Sequence, residues 1–226
     1  MQNCDPEPER VLRSKREAQA NYDRIARWYD LAEDFWERKL RSAGLRKLGA
    51  SEEESILDVG IGTGHETVAL AGSVGESGRV VGIDLSRRML RIARSRIERE
   101  GLKGRVDLLQ CDAVRLPFKA ETFDGIFMSF TLELFDTPEI LLALNEIKQA
   151  LRPGGRICVV SLSRSGGRSL ARDLYELVHD RFPIVIDCCP IFVRRAMEEA
   201  SFEVIDATQN SIWGLPVEIV LAERQK

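Results

Sequence analysis

The sequence predicts an α/β fold, a doubly wound sheet of seven mostly parallel strands with helices on both faces. From Ile56 onward, short β-rich runs alternate with helical stretches, and this alternation is typical of parallel strands joined by crossover helices. The last two β-rich runs follow each other through "NSIWGLP" with no helix between them. This pattern predicts that the last strand is antiparallel.

Each predicted strand is a short apolar run that ends at a turn signal. The expected strands are 56–59, 79–83, 106–110, 125–128, 156–161, 202–207 and 217–222. Apolar residues at helical spacing predict helices in the intervening segments. The expected helices are 65–73, 86–100, 138–151, 168–181 and 191–200.

The N-terminal region reads as a helical cap. Tyr22, Ile25, Tyr29 and Trp36 recur at three, four and seven residues, which places them on one helical stripe that would pack on the rest of the protein. We therefore expect residues 1–50 to form a cap and residues 51–226 to form the main domain, together making one structural unit.

Charge and hydropathy restrict the class of protein. The formal net charge of −3 argues against nucleic acid as a partner. No apolar run approaches the roughly 20 residues of a spanning helix, and the N-terminus "MQNCDPEPER" is polar and acidic, so we expect a cytoplasmic protein. Residues 10–48 carry 11 Lys and Arg against 6 Asp and Glu, which leaves peripheral membrane contact through the N-terminal helices open.

The cysteines do not suggest a metal centre. They form an odd set without a CxxC pair, which predicts neither a disulfide framework nor a zinc site. The five are Cys4, Cys111, Cys158, Cys188 and Cys189. The adjacent pair Cys188 and Cys189 could bind a soft metal, act in redox chemistry or simply pack.

A glycine-rich turn follows the first predicted strand, in "ILDVGIGTGHETVALA". Such a turn before a helix exposes backbone N–H groups to a ligand where side chains would collide. A dinucleotide fingerprint requires a third glycine where this chain has His65, and no Walker Gly-Lys follows. Asp84 ends the second strand 20 residues after Gly64, where a carboxylate can accept both hydroxyls of a ribose. The pattern predicts a nucleoside ligand without a diphosphate.

Two further carboxylates narrow the ligand. Asp112, one strand further out, is placed to accept from an adenine amino group. Asp58 adds negative charge beside the glycines, which suits an ammonium and a sulfonium but not a pyrophosphate. Together with Asp84 they predict S-adenosylmethionine.

Five motifs, in order, resemble those of class I S-adenosylmethionine-dependent methyltransferases. They are "LDVGIGTG", "VVGIDLS", "DAVRLPF", "FDGIFMSFTLELF" and "LRPGGRICVV", and the resemblance covers about residues 50–165. It implies a Rossmann-like fold and a role for each matched position. Around the methionine part it places Asp58, Gly60, Gly62, Gly64 and Ser129. Around the ribose and adenine it places Asp84, Leu85, Met89, Asp112 and the backbone of Ala113.

The stretch "YDRIARWYD" resembles the start of the ubiquinone and menaquinone biosynthesis C-methyltransferases. That likeness implies that the N-terminal helices cover the cofactor, with Tyr29 at its methionine end. The chain departs from that group in "LAEDFWERKLRSAGL", which follows this element, and in "VVSLSRSGG", where the group tends to carry a glutamate. Membership in the wider family is therefore better supported than a quinone substrate.

Two residues are candidates for proton transfer. His65 directly follows the glycine turn and would serve as a base or only pack at a helix start. Glu133, after the fourth strand, would serve as a base or orient the acceptor, or it would be a solvated surface carboxylate.

We therefore expect methylation of a small apolar or aromatic acceptor, on carbon or oxygen as in quinone biosynthesis. The alternatives are a phospholipid or natural-product N- or O-methyltransferase, and a non-catalytic regulatory protein that binds a nucleoside. The oligomeric state does not follow from the sequence.

Overall fold

The computed structural model describes residues 35–165, 190–212 and 214–225. Within them, seven strands form one sheet in the order β3-β2-β1-β4-β5-β7-β6. In chain order they are Ser55–Val59, Arg79–Asp84, Val106–Gln110, Phe123–Ser129, Leu151–Leu162, Glu203–Ile212 and Leu215–Glu223, numbered β1 to β7. Strands β1 to β5 pair in parallel, and β7 runs antiparallel to both of its neighbours. The predicted fold class is confirmed.

Five α-helices lie in the described ranges. They are Phe35–Leu48, His65–Ser73, Arg87–Arg99, Thr137–Ala150 and Val193–Glu199, numbered α1 to α5. A 3-10 turn at Leu132–Leu134 follows β4. Among these helices none is both long and apolar enough to cross a membrane. The predicted helix 168–181, most of the predicted cap and the pair Cys188 and Cys189 lie outside the described residues.

Strand β6 is longer than the sequence predicts. The apolar pattern ends at Ala207, yet the strand continues to Ile212 through polar residues that are exposed along its length. Pairing with β7 supplies the backbone hydrogen bonds of this extension, from Thr208 opposite Ile219 to Ile212 opposite Leu215. A polar edge strand needs a partner rather than a buried face, so hydrophobic periodicity does not reveal it.

Both faces of the sheet are buried. In β4, Ile126 and Met128 contact the cluster that includes α4 and α5, whereas the intervening Phe127 packs in the cluster that includes α1. Since successive side chains of a strand point to opposite faces, this alternation requires a helical layer on each side.

Helix α1 lies close against the sheet. At Gly44, an added Cβ would overlap the side chain of Val160 and come within 3.1 Å of the Phe127 ring. At the end of the helix, Arg156 donates to the carbonyl oxygen of Leu48 (2.6 Å) and forms an ion pair with Glu54 (2.8 Å). The described part of the predicted cap is therefore fixed to β4 and β5.

Gly44→Ala should destabilise the protein by about 1–3 kcal/mol, because the overlap with Val160 outweighs the better helix propensity of alanine. The matched control is Gly72→Ala in α2, where an added Cβ meets no described atom within 4 Å. That control should leave stability unchanged or raise it by up to about 1 kcal/mol. Urea unfolding of both variants measures the difference, and equal effects would contradict the close approach of α1.

Candidate active site

The glycine turn is anchored to the end of β2. The backbone N–H groups of Gly60 and Ile61 both donate to the carbonyl oxygen of Ile83, at 2.9 and 3.1 Å. Gly62 N–H donates to Asp84 Oδ2 at 2.9 Å. The expectation that these N–H groups are left bare for a ligand is wrong, since they are used to hold the turn against the neighbouring strand.

The three glycines are needed for different reasons, although all have positive φ, at 73°, 51° and 82°. An added Cβ at Gly60 would overlap the side chain of Thr131, and one at Gly64 would lie 2.8 Å from the Cβ of Ala93. At Gly62 it would meet no described atom within 4 Å. At Gly60 and Gly64 the predicted collision is therefore with the protein itself, and only Gly62 leaves the backbone open to an approaching ligand.

Asp84 holds two loops with its two oxygens. Oδ2 accepts from Gly62 N–H, and Oδ1 accepts from Ser86 N–H at 2.8 Å. Helix α3 is capped by Ser86, whose hydroxyl accepts from Met89 N–H, so Asp84 is not its N-cap. Each carboxylate oxygen can accept two hydrogen bonds, and Asp84 is half-buried at the end of β2.

The residues expected around an adenine lie at the ends of β2 and β3. Gln110 Nε2 donates to the carbonyl oxygen of Leu85 (2.9 Å), which joins the two strand ends. Asp112 is half-buried and accepts from Val114 N–H (3.2 Å). Met89 and Ala113 are buried. The structure thus brings these residues together at the carboxyl edge of the sheet.

Asp58 is buried in β1 and points toward α2. The hydroxyl of Thr67 donates to Asp58 Oδ2 at 2.6 Å, and the residue is 2% exposed. Burial raises the pKa of Asp58 to about 7, because a charged carboxylate is poorly solvated there. The negative charge that the sequence predicts beside the glycines therefore depends on pH near neutrality.

The chain after β4 adopts an unusual conformation. Phe130 has a φ of +47°, a region that bulky residues rarely occupy, and its N–H donates to the carbonyl oxygen of Val160 (2.7 Å). The preceding Ser129 is half-buried. Thr131 Oγ1 donates to the Ser129 carbonyl oxygen (2.9 Å), which closes the turn against Gly60.

Glu133 lies beneath this turn and is 1% exposed. Its oxygens accept from the Ser161 hydroxyl (2.8 Å) and from Leu162 N–H (3.2 Å). Burial raises the pKa of Glu133 to about 7 despite these donors. The alternative that Glu133 is a solvated surface carboxylate is wrong.

Arg41 is a site residue that sequence reasoning missed. Its guanidinium lies 3.2 Å from Glu37 and 3.6 Å from Glu66, and 5.4 Å from the centre of the Phe130 ring. Its charge also lowers the pKa values of Asp58 and Glu133, against the larger effect of burial. In the sequence it stands among the basic residues of "ERKLRSAGLRK", with no signal that separates it from solvated neighbours.

The remaining predicted residues are less defined by the structure. His65 is half-buried and begins α2. Tyr29 lies outside the described residues. Among the residues that the structure does describe, no group of three or more His, Cys, Asp or Glu side chains could hold a metal ion.

Known proteins resemble this chain in sequence and in fold. A family profile described as a methyltransferase domain matches residues 56–155, from β1 into β5. A demethylmenaquinone methyltransferase of Lactococcus lactis subsp. lactis (strain IL1403) is 38% identical over 130 residues, which are 58% of this chain and 49% of that protein. One of Bacillus cereus (strain B4264) is 36% identical over 124 residues, 55% of this chain and 51% of that protein. The crystal structure of an S-adenosylmethionine-dependent methyltransferase from Aquifex aeolicus is 25% identical, with a TM-score of 0.65, and the match covers 88% of this chain and 97% of that chain.

Residues 56–155 match the methyltransferase domain family, and the chain is similar in fold to an S-adenosylmethionine-dependent methyltransferase. The chain spans about half the length of the curated relatives it matches. The cofactor named for the Aquifex aeolicus protein is S-adenosylmethionine. The described residues fit this cofactor, because the open space at Gly62 adjoins the carboxylate of Asp84, an acceptor group of the kind that binds ribose hydroxyls.

The two buried carboxyls predict a pH dependence of stability. Asp58 and Glu133 have pKa values near 7 in the folded protein, against 3.8 and 4.5 as ordinary values. Between about pH 4 and pH 7 the folded protein therefore binds more protons than the unfolded chain, so the free energy of unfolding falls as pH rises through this window. Each group contributes a slope of up to about 1.4 kcal/mol per pH unit.

Urea unfolding across this window should show a flatter dependence for Asp58→Asn combined with Glu133→Gln than for the wild type. Asp107→Asn, an exposed carboxylate of β3, serves as the control and should keep the wild-type slope. A double variant with an unchanged slope would show that these carboxyls are ionised throughout.

Proposed function

We propose that the protein transfers a methyl group from S-adenosylmethionine to a small apolar or aromatic acceptor, on carbon or oxygen, as in quinone biosynthesis. The observation that carries the proposal is the glycine turn held on Asp84 with its one open position at Gly62. The partial likeness to demethylmenaquinone methyltransferases supports the acceptor class.

When bound, S-adenosylmethionine supplies a methyl group on a positively charged sulfur, which is ready for in-line displacement. We assign Asp84 to the ribose hydroxyls, as a charged acceptor whose position is fixed by Gly62 N–H and Ser86 N–H. Asp112 and the backbone of Ala113 would recognise the adenine edge, between Leu85 and Met89. Because these groups sit on strand ends, the cofactor would be held by the rigid part of the fold.

At the methionine end we assign Asp58, Ser129 and Tyr29, together with the turn of Gly60, Gly62 and Gly64, whose open position is Gly62. The charge on Asp58 would offset part of the positive charge of the cofactor. The protein's further contribution to the transfer is to align the acceptor with the methyl group and exclude water. The half-buried Phe130 turn lies against Arg41, whose guanidinium is 5.4 Å from the centre of the Phe130 ring, and this contact supports a partly enclosed site.

A proton must leave the acceptor when its nucleophile is a phenol or an activated carbon. Glu133 is our candidate base, since a carboxyl with a pKa of about 7 can take up a proton at neutral pH. His65, at the start of α2, is the second candidate. Glu133 would also orient the acceptor through the turn that it supports.

We place this reaction in the cytoplasm, which the free cysteines Cys111 and Cys158 support. A lipid-soluble acceptor would be reached through peripheral contact of the basic N-terminal helices with a membrane. The acidic net charge supports a small molecule rather than a nucleic acid as the substrate.

Asp84→Asn should weaken S-adenosylmethionine binding by about 1.5–3 kcal/mol, because a charged acceptor is replaced by a neutral one. Isothermal titration calorimetry measures the change. Asp107→Asn is the control, since this carboxylate is exposed and pairs with Arg79 at 3.0 Å. Equal affinities of Asp84→Asn and the wild type would remove Asp84 from the cofactor site.

Glu133→Gln should lower kcat for methylation of a 1,4-naphthoquinol by about 100-fold or more, the usual contribution of a general base, while the Kd for S-adenosylmethionine stays unchanged. Glu203→Gln, on the exposed edge strand β6, provides the matched control. Full turnover of Glu133→Gln would exclude it as the base and leave His65 to be tested by His65→Gln.

A further inference from the structure

A cavity lies at the end of the sheet formed by β7 and β6, away from the glycine turn. It has a volume of about 400 Å³, which is within the usual range of small-molecule sites. Its walls come from the end of β5, the start of α5 and the two last strands. The residues used below are Phe192, Arg194, Arg195, Gln209 and Glu218.

Glu218 is the unusual member of this wall. The residue is 4% exposed, and its Oε2 accepts no hydrogen bond from any residue that the structure describes. A buried carboxylate oxygen without a donor is destabilising, because it has lost its hydrogen bonds to water without replacement. Such a group is seldom kept in a packed position unless something else satisfies it.

The neighbouring strands explain why the protein does not satisfy Glu218. Its partner on β5 is Ser161, so both side chains point to the same face of the sheet. The single hydroxyl proton of Ser161 is directed to Glu133 Oε2 or to the Leu162 carbonyl oxygen. The partner on β6 is Gln209, which lines the same cavity and is exposed.

The two arginines of the cavity wall each donate to a glutamate of their own helix. Arg194 Nε donates to Glu198 Oε1 at 3.0 Å, and Arg195 Nε donates to Glu199 Oε1 at 2.8 Å, both along α5. Their side chains are 62% and 61% exposed, so most of each arginine is in contact with solvent. Glu218 is the buried acidic residue of the wall, whereas the two arginines are exposed.

Phe192 adds an aromatic surface to this wall and is 45% exposed. An aromatic ring beside a carboxylate favours a ligand that combines an ammonium group with an apolar body. A multiply charged cation is disfavoured, because the second charge would approach the arginines of the wall.

We propose that this cavity binds a small organic cation, a primary ammonium on an apolar body, whose ammonium donates to Glu218. Two strands, β5 and β4, lie between β7 and the glycine turn on β1, whereas Ser161, opposite Glu218, donates to Glu133 Oε2, the carboxylate that we assign as candidate base. The proposal does not depend on the reaction that the protein catalyses, and binding can be tested without cofactor or acceptor.

The test measures binding of benzylamine to the full chain by ligand-observed NMR and calorimetry. Benzyl alcohol is the neutral analogue and phenylacetate the anionic one. We expect benzylamine to bind and Glu218→Gln to weaken it by about tenfold or more, the usual loss for a hydrogen bond to a charged group. Glu223→Gln, the same change at the end of β7 and outside the cavity wall, should bind benzylamine as the wild type does.

Three outcomes would overturn the proposal. They are no binding of benzylamine up to its solubility limit, equal binding of benzyl alcohol, and preference for phenylacetate, which would indicate an anion site at the arginines. Glu218→Gln is nearly isosteric and removes a buried charge, so it should fold. A shift of the Phe192 ring resonances on adding benzylamine, present in the wild type and absent in Glu218→Gln, gives a second readout at the cavity itself.

Discussion

The attachment of the glycine turn to the end of β2 is the interaction on which the carboxyl edge of the sheet depends. Three consecutive N–H groups, from Gly60 to Gly62, donate to the last two residues of β2. Asp84 fixes two segments of the chain. Its Oδ2 holds the glycine turn, and its Oδ1 holds the start of α3. A ligand at this edge meets a surface that is already organised, which lowers the entropy lost on binding.

A buried charge network supports the same edge from the other side. Arg41 is 7% exposed and lies among the carboxylates of Glu37 and Glu66 and the ring of Phe130. Removing these charged groups from water costs free energy. This cost is offset only because several partners interact with one guanidinium. The consequence of the network is structural, because it connects α1, α2 and the turn after β4 through one side chain.

Much of the fold follows from local pattern. The alternation of apolar strands and helices predicted the parallel sheet, and "NSIWGLP" predicted the antiparallel last strand, both confirmed. The length of β6 was not predictable, because its polar residues are ordered by pairing with β7 rather than by burial. The roles of Gly60 and Gly64 were also beyond local pattern, since Thr131 and Ala93, which they approach, are distant in sequence.

The sequence by itself determined the motifs, the succession along the chain of the strands that carry them, and the carboxylates available to a nucleoside. These features depend on residue type and spacing along one segment. Only the tertiary structure decided which groups are buried, and with that the raised pKa values of Asp58 and Glu133 and the effect of the Arg41 charge on both. The isolated carboxylate of Glu218 also belongs to the tertiary structure. The physical reason is that desolvation and charge pairing depend on neighbours that the chain brings together only when the sheet and its helices pack.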